Sequence, residues 1–190
     1  GYQVSQLAEM QASEKNMKAV RSPALMHIAT HGYFLQDTES GGDAFGVSAD
    51  NAANNPLLRS GLMLANASKT ISRAAAPNLE SNDNGILTAY EAMNLDLDNT
   101  SLIVLSACET GLGDVRNGEG VYGLQRAFLV AGADAMIMSL WKVDDAATQQ
   151  MMTNWIKTGN KQKAFKQAQL QLMTKYKEPY FWGAFVMMGQ

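Results

Sequence analysis

A single cysteine among 190 residues rules out an internal disulfide, so covalent stapling is absent and a reducing compartment suits the chain. A cytoplasmic location is expected on that ground. Two histidines and one cysteine offer no recognisable zinc spacing, and neither a metal nor a cofactor is expected. Basic residues number 15 against 18 acidic ones, a net charge of −3. That balance gives no electrostatic case for binding nucleic acid or an anionic membrane surface. No apolar run approaches the roughly 20 residues that span a bilayer. A secretory signal pattern is missing from the first residues, although the chain opens on Gly1 rather than Met and so reads as a piece of something longer. No G-x-x-x-x-G-K-[ST] loop and no G-x-S-x-G elbow occurs. Residues 118–123, GEGVYG, match G-x-G-x-x-G letter for letter. A dinucleotide fingerprint follows directly on a strand, however, and here about ten loop residues intervene.

What is present is an ordinary globular composition, 46% hydrophobic and 17% charged, enough for one domain over residues 1–190 with a sizeable core. The organising stretch is 101–113, SLIVLSACETGLG. Its apolar opening, Leu102 to Leu105, reads as a strand buried on both faces. Two further strands are expected at 24–30 and 135–141. Residues 31–34 read as a turn around Gly32, and 57–67 as a short strand pair around Ser60 and Gly61. Helices are expected near 13–20, from Thr88 with Glu91 as a capping box, over 121–131 with Gly132 as the cap, from Asp144-Asp145, and over 161–176. An edge strand closes the chain at 181–188. Residues 36–55 and 111–120 read as surface loops. Strands alternating with helices indicate an α/β fold with a parallel sheet.

In such a sheet, function collects where strands end. His31 and Cys108 each follow a strand of buried type and precede a glycine. If those strands are parallel neighbours, both side chains emerge at one edge. An imidazole base can then take the proton of a thiol nucleophile, since the thiolate is the reactive species. Gly32 has no side chain to hinder its N–H from acting as an oxyanion donor, with the N–H of Cys108 as the second. Structural readings stand beside these. A lone cysteine at a strand end is most often a small buried apolar residue. His27, inside its strand, reads as a packed histidine. Asp144 and Asp145 suit a helix start, Glu119 another, and the tryptophans and methionines the core.

Five stretches together resemble one family: 27–34 HIATHGYF, 105–111 LSACETG, 118–133 GEGVYGLQRAFLVAGA, 139–145 SLWKVDD and 180–186 YFWGAFV. They are similar, in the right order, to the CHAT domain, a caspase-like and separase-like cysteine peptidase family often attached to tetratricopeptide repeats. The resemblance implies a caspase-like three-layer α/β/α sandwich with a mostly parallel sheet, lacking the N-terminal strand and helix that the family usually has. It implies a cysteine endopeptidase with a dyad of Cys108 as nucleophile and His31 as base. It places an extended substrate against Ser139 to Lys142, with Ser139 and Trp141 in contact, and makes Asp144 the receiver of a basic P1 side chain. The partners it implies are a protein substrate and a regulatory protein or tetratricopeptide-repeat region that switches the enzyme on. The alternatives are a binding or scaffold module of the same fold without turnover, and a hydrolase or transferase acting on a non-peptide acyl group.

Overall fold

Polar caps start the helices and short apolar runs make the strands in the computed structural model, which describes residues 3–35, 47, 50, 54–71, 83–106, 119–141, 144–156 and 161–189. Helix α1 (Glu14–Lys18) is capped by Ser13, whose Oγ accepts the Asn16 N–H at 3.2 Å. Strands β1 (Leu25–Ala29) and β2 (His31–Phe34) follow, then β3 (Ser60–Met63), α2 (Ala67–Ile71), β4 (Ile86–Thr88) and α3 (Ala89–Ala92). The second half runs β5 (Leu102–Ser106), α4 (Glu119–Val130), β6 (Ala135–Ser139), α5 (Asp145–Ile156), α6 (Lys161–Lys175) and β7 (Phe185–Gly189).

The main sheet has the order β1-β5-β6-β7. The β1–β5 and β5–β6 pairs are parallel, and β7 closes the far edge antiparallel. Leu102 to Leu105 and all of β6 are buried, because alternate residues enter two different cores. Ile103, Leu105, Met136 and Met138 pack with Ala89 and Ala92 of α3 and with Leu124, Ala127 and Phe128 of α4. Leu102, Val104, Ala135 and Ile137 pack with Met151 of α5 and with Phe165, Ala168 and Leu172 of α6. Helices therefore cover both faces, and the expected mixed α/β fold with a mostly parallel sheet is the observed one. Gly132 ends α4 at φ +108°, a conformation that favours glycine.

A second sheet, β2-β3-β4, is antiparallel, and it corrects the reading of three stretches. Residues 31–34 form a strand rather than a turn. Within 57–67 one strand forms, not a pair, and its partners lie at β2 and β4. Ile86 to Thr88, where only a helix start at Thr88 is expected, is the third strand, and the Thr88–Glu91 capping box is present as expected. Leu62 and Leu87 are wholly buried and lie opposite each other. Tertiary burial thus decides the conformation of segments too short to show a period. The close approach is tightest at Gly61. A Cβ there would lie 2.6 Å from the Leu87 carbonyl oxygen and 2.7 Å from Tyr33 Cε1. Gly61→Ala is expected to lower stability by about 1–3 kcal/mol. Urea titration reads this directly, and an unchanged midpoint would refute it.

Candidate functional site

Strands β1 and β5 are adjacent and parallel, in register from Leu25 opposite Leu102 to Ala29 opposite Ser106. Both chains therefore leave the sheet at the same carboxyl edge. His31 is two residues beyond β1, and Cys108 is two residues beyond β5 along the chain. Cys108 itself lies outside the described residues. His31 opens β2 opposite Met63 and is exposed. Its position is held from the preceding residue, because the Thr30 hydroxyl donates to the Met63 carbonyl.

Gly32 is buried and lies opposite Leu62. In an antiparallel ladder, hydrogen-bonded and non-bonded pairs alternate. The Leu35 N–H donates to the Arg59 carbonyl at 2.7 Å, which makes 35/59, 33/61 and 31/63 the bonded pairs. The Leu64 N–H donates to the Gly85 carbonyl at 2.7 Å, so Leu62 bonds toward β4 and not toward β2. The Gly32 N–H consequently points away from β3.

Ser139 ends β6 and is buried. On one side its chain stays paired, with Ser139 opposite Phe185 and the Leu140 N–H donating to the Ala184 carbonyl at 2.9 Å. On the other side the β5 pairing stops at Met138, opposite Leu105. Among the described residues, no strand pairing on that side continues from Ser139 to Trp141. Trp141 is half-buried and anchored by its Nε1–H, which donates to the Tyr180 carbonyl at 3.0 Å. Asp144 is exposed, and its Oδ1 accepts the Ala147 N–H at 3.1 Å. That is an N-cap geometry, so the helix-start reading of Asp144 holds whatever else the residue does. The side chain of Asp145 lies outside the described residues.

His27 departs from its expected packing. It is exposed, because the α5–α6 layer that covers Leu102 and Val104 of β5 takes only Leu25 from β1. Its Nε2 is 2.9 Å from Ser106 Oγ, a contact between the two strands that lead to His31 and Cys108. Partial burial of the ring lowers its pKa below the ordinary histidine value, which favours the neutral form at pH 7. The alternation HIATH placed this histidine within a strand, but nothing in the sequence announced a serine partner 79 residues away.

Among the described residues no group of three or more His, Cys, Asp or Glu side chains could hold a metal ion. No helix there is long and apolar enough to cross a membrane.

Tetratricopeptide repeat protein 28 of Mus musculus is 37% identical over 67 residues. That match takes in 35% of this chain and 3% of the mouse protein, so the chain spans only a small part of that relative. Comparison with known families matches residues 3–190 to the CHAT domain, an extent that takes in β1, β5 and the edge where they end together, and the chain belongs to the CHAT domain family.

Proposed function

We propose that this domain is a cysteine endopeptidase with Cys108 as nucleophile and His31 as its base. The observation that supports the reading is the parallel register of β1 and β5, which ends the two strands preceding these residues at one sheet edge. In the first step the thiol proton passes to His31 and the sulfur adds to the scissile carbonyl carbon. The Gly32 N–H donates to the oxygen that becomes negative. The C–N bond then breaks, and the departing amine takes the proton from His31. Water attacks the resulting thioester, its proton moving to His31 and on to the sulfur, and the acid product leaves. The substrate lies extended along Ser139 to Trp141, adding a strand where β5 stops, so that main-chain hydrogen bonds hold it. A basic P1 side chain meets the Asp144 carboxylate, whose second oxygen remains for a guanidinium. Activation comes from an adjoining tetratricopeptide-repeat region or another regulatory protein, an arrangement that the name of the mouse relative supports. The cytoplasm, where one thiol stays reduced, is the compartment that suits this chemistry.

Covalent labelling by a peptide acyloxymethyl ketone, read by intact mass with and without candidate regulatory protein, tests the reading. The expected result is one adduct with an arginyl P1, lost in Cys108→Ala. Asp144→Ser separates the two uses of that carboxylate. Serine keeps the N-cap within a few tenths of a kcal/mol of aspartate but removes the charge. The preference for arginyl over leucyl P1 is expected to fall by about tenfold or more, with the unfolding midpoint little changed. An unaltered preference would remove Asp144 from the substrate site. No adduct under any condition would favour the scaffold alternative.

A further inference from the structure

We propose that the outward face of α6 is a docking surface for an acidic helix of a partner protein, a role that stands whether or not the domain cleaves peptides. Residues 146–177 hold six lysines and no carboxylate, whereas the rest of the chain has nine basic and 18 acidic residues. A chain of net charge −3 is thus divided into a +6 stretch and a −9 remainder. Within that stretch α6 turns one face to the core, where Ala164, Phe165, Ala168 and Leu172 are buried against the main sheet. Positions three and four apart share a helix face. Lys163, Lys166, Leu170 and Met173 therefore run along the opposite side for about three turns, and all four are exposed. Lys177, also exposed, follows just beyond the last turn. Lys175 does not belong to this face, because its ammonium donates to Gln150 Oε1 of α5 at 2.9 Å.

A helix face left to water ordinarily sets Glu or Asp three or four residues from its lysines. Here no carboxylate stands at that spacing from Lys163, Lys166 or Lys177, and Lys163 and Lys166 repel each other one turn apart. In the middle of the face Leu170 is 50% and Met173 40% exposed. These two are also one turn apart, so they form one apolar spot with lysines towards both ends. Neither feature stabilises α6 on its own sheet. A partner helix with Leu or Met at its centre and carboxylates around them answers both, since charges then pair at the rim and apolar side chains meet in the middle. A polyphosphate fits less well. It offers nothing apolar to Leu170 and Met173, and the −9 remainder of the chain repels it. A lipid surface also fits less well, because the broad apolar face that an interfacial helix needs is already turned to the sheet.

The probe is a fluorescein-labelled helical peptide with leucines at i, i+3 and i+7 and glutamates on both sides of them. It is titrated with the whole chain and read by anisotropy, beside a peptide of the same composition whose leucines are scrambled out of that spacing. The patterned peptide is expected to bind about tenfold or more tightly than the scrambled one, and less tightly as salt is raised. Leu170→Ser combined with Met173→Ser is expected to weaken binding by about tenfold or more. Lys166→Glu combined with Lys177→Glu is expected to weaken it by a similar factor, and replacing the peptide's glutamates by lysines is expected to restore it. Urea midpoints are expected to stay where they are, because all four positions are exposed. Equal binding of the two peptides, variants that bind as the unaltered chain does, or a charge reversal that the lysine peptide fails to rescue would each overturn the proposal. Tighter binding of a short DNA duplex or of phosphatidylserine vesicles than of the patterned peptide would overturn it in favour of a polyphosphate or a lipid. Sedimentation of the chain alone supplies the last arm. Self-association that the Leu170→Ser, Met173→Ser variant abolishes would assign the face to a second copy of this chain and overturn the proposal likewise.

Discussion

Cys108→Ala is expected to remove all covalent labelling and all peptide cleavage, and His31→Ala to slow alkylation of Cys108 at pH 7 by about 10²–10⁴-fold. At an ordinary pKa of about 8.5, only a few per cent of a cysteine is thiolate at pH 7. An imidazole within reach takes that proton and leaves a thiolate beside an imidazolium, whose charge holds the thiol pKa down. Removing His31 removes both the acceptor and the charge, so the inflection of the pH–rate profile is expected to move up to about 8.5. The geometry argues for His31 over His27 as the base. His31 stands beyond the strand at the carboxyl edge and is exposed, whereas His27 lies four residues earlier with its Nε2 engaged by Ser106. Stopped-flow alkylation across pH 5–9 separates them. A His31→Ala chain with an unshifted inflection would reject the dyad, while a shift in His27→Ala alone would make His27 the base.

Much of the frame around the candidate site could be read from the residue pattern because it is made of buried strands. Leu102 to Leu105 and Ala135 to Ser139 are short apolar runs bounded by turns, and such runs have few ways to be satisfied other than as central strands. Once they are strands joined by a helix, parallel pairing follows, and with it the shared edge. Three-residue and four-residue strands carry no such signal. β2 and β4 exist because Tyr33, Leu62, Ile86 and Leu87 find partners across the chain, and those partners cannot be read locally. The glycine that suggested a turn at 32 is in a strand, where its N–H points away from β3. The exposure of His27 within β1 has a related cause. Strand membership implies burial only when a layer covers that face, and here the helices stop short of β1.

Lys18→Met is expected to cost about 3–5 kcal/mol near pH 7, the largest stability loss among these variants. Lys18 bridges two carboxylates that tie α1 to the second sheet. Glu14 is wholly buried. Its Oε2 accepts the N–H groups of Asn84 at 2.7 Å and Gly85 at 3.0 Å, while its Oε1 meets the Lys18 ammonium. The same ammonium lies 2.8 Å from Glu91 Oε1, and Glu91 Oε2 holds the Thr88 N–H and hydroxyl. Burial pushes the Glu14 carboxyl up, and Lys18 offsets part of that. For Lys18, burial acts downward, but the two carboxylates outweigh it and its pKa is raised. Glu91 is held below its ordinary value because Lys18 and Thr88 outweigh the effect of burial. Removing the ammonium leaves Glu14 buried and uncompensated, so its folded pKa rises further. A raised carboxyl contributes most below its unfolded value of 4.5 and loses that contribution as pH rises through the folded value. The lowered Glu91 behaves oppositely, its contribution present above 4.5 and lost as pH falls. Both signs make the gap between the unaltered chain and Lys18→Met widen from pH 4.5 toward neutrality. The gap then persists until the raised Lys18 pKa, above 10.5, is reached. Urea titrations at pH 4.5 and 7.5 read the difference, and an equal gap at both would refute the buried-charge account. The double variant Lys18→Met with Glu14→Gln supplies the positive control. A neutral amide oxygen still accepts from Asn84 and Gly85, so most of the loss is expected to return without any charge at all. Recovery would assign the cost to the stranded carboxylate and not to the missing lysine stem, since the stem is replaced in both variants.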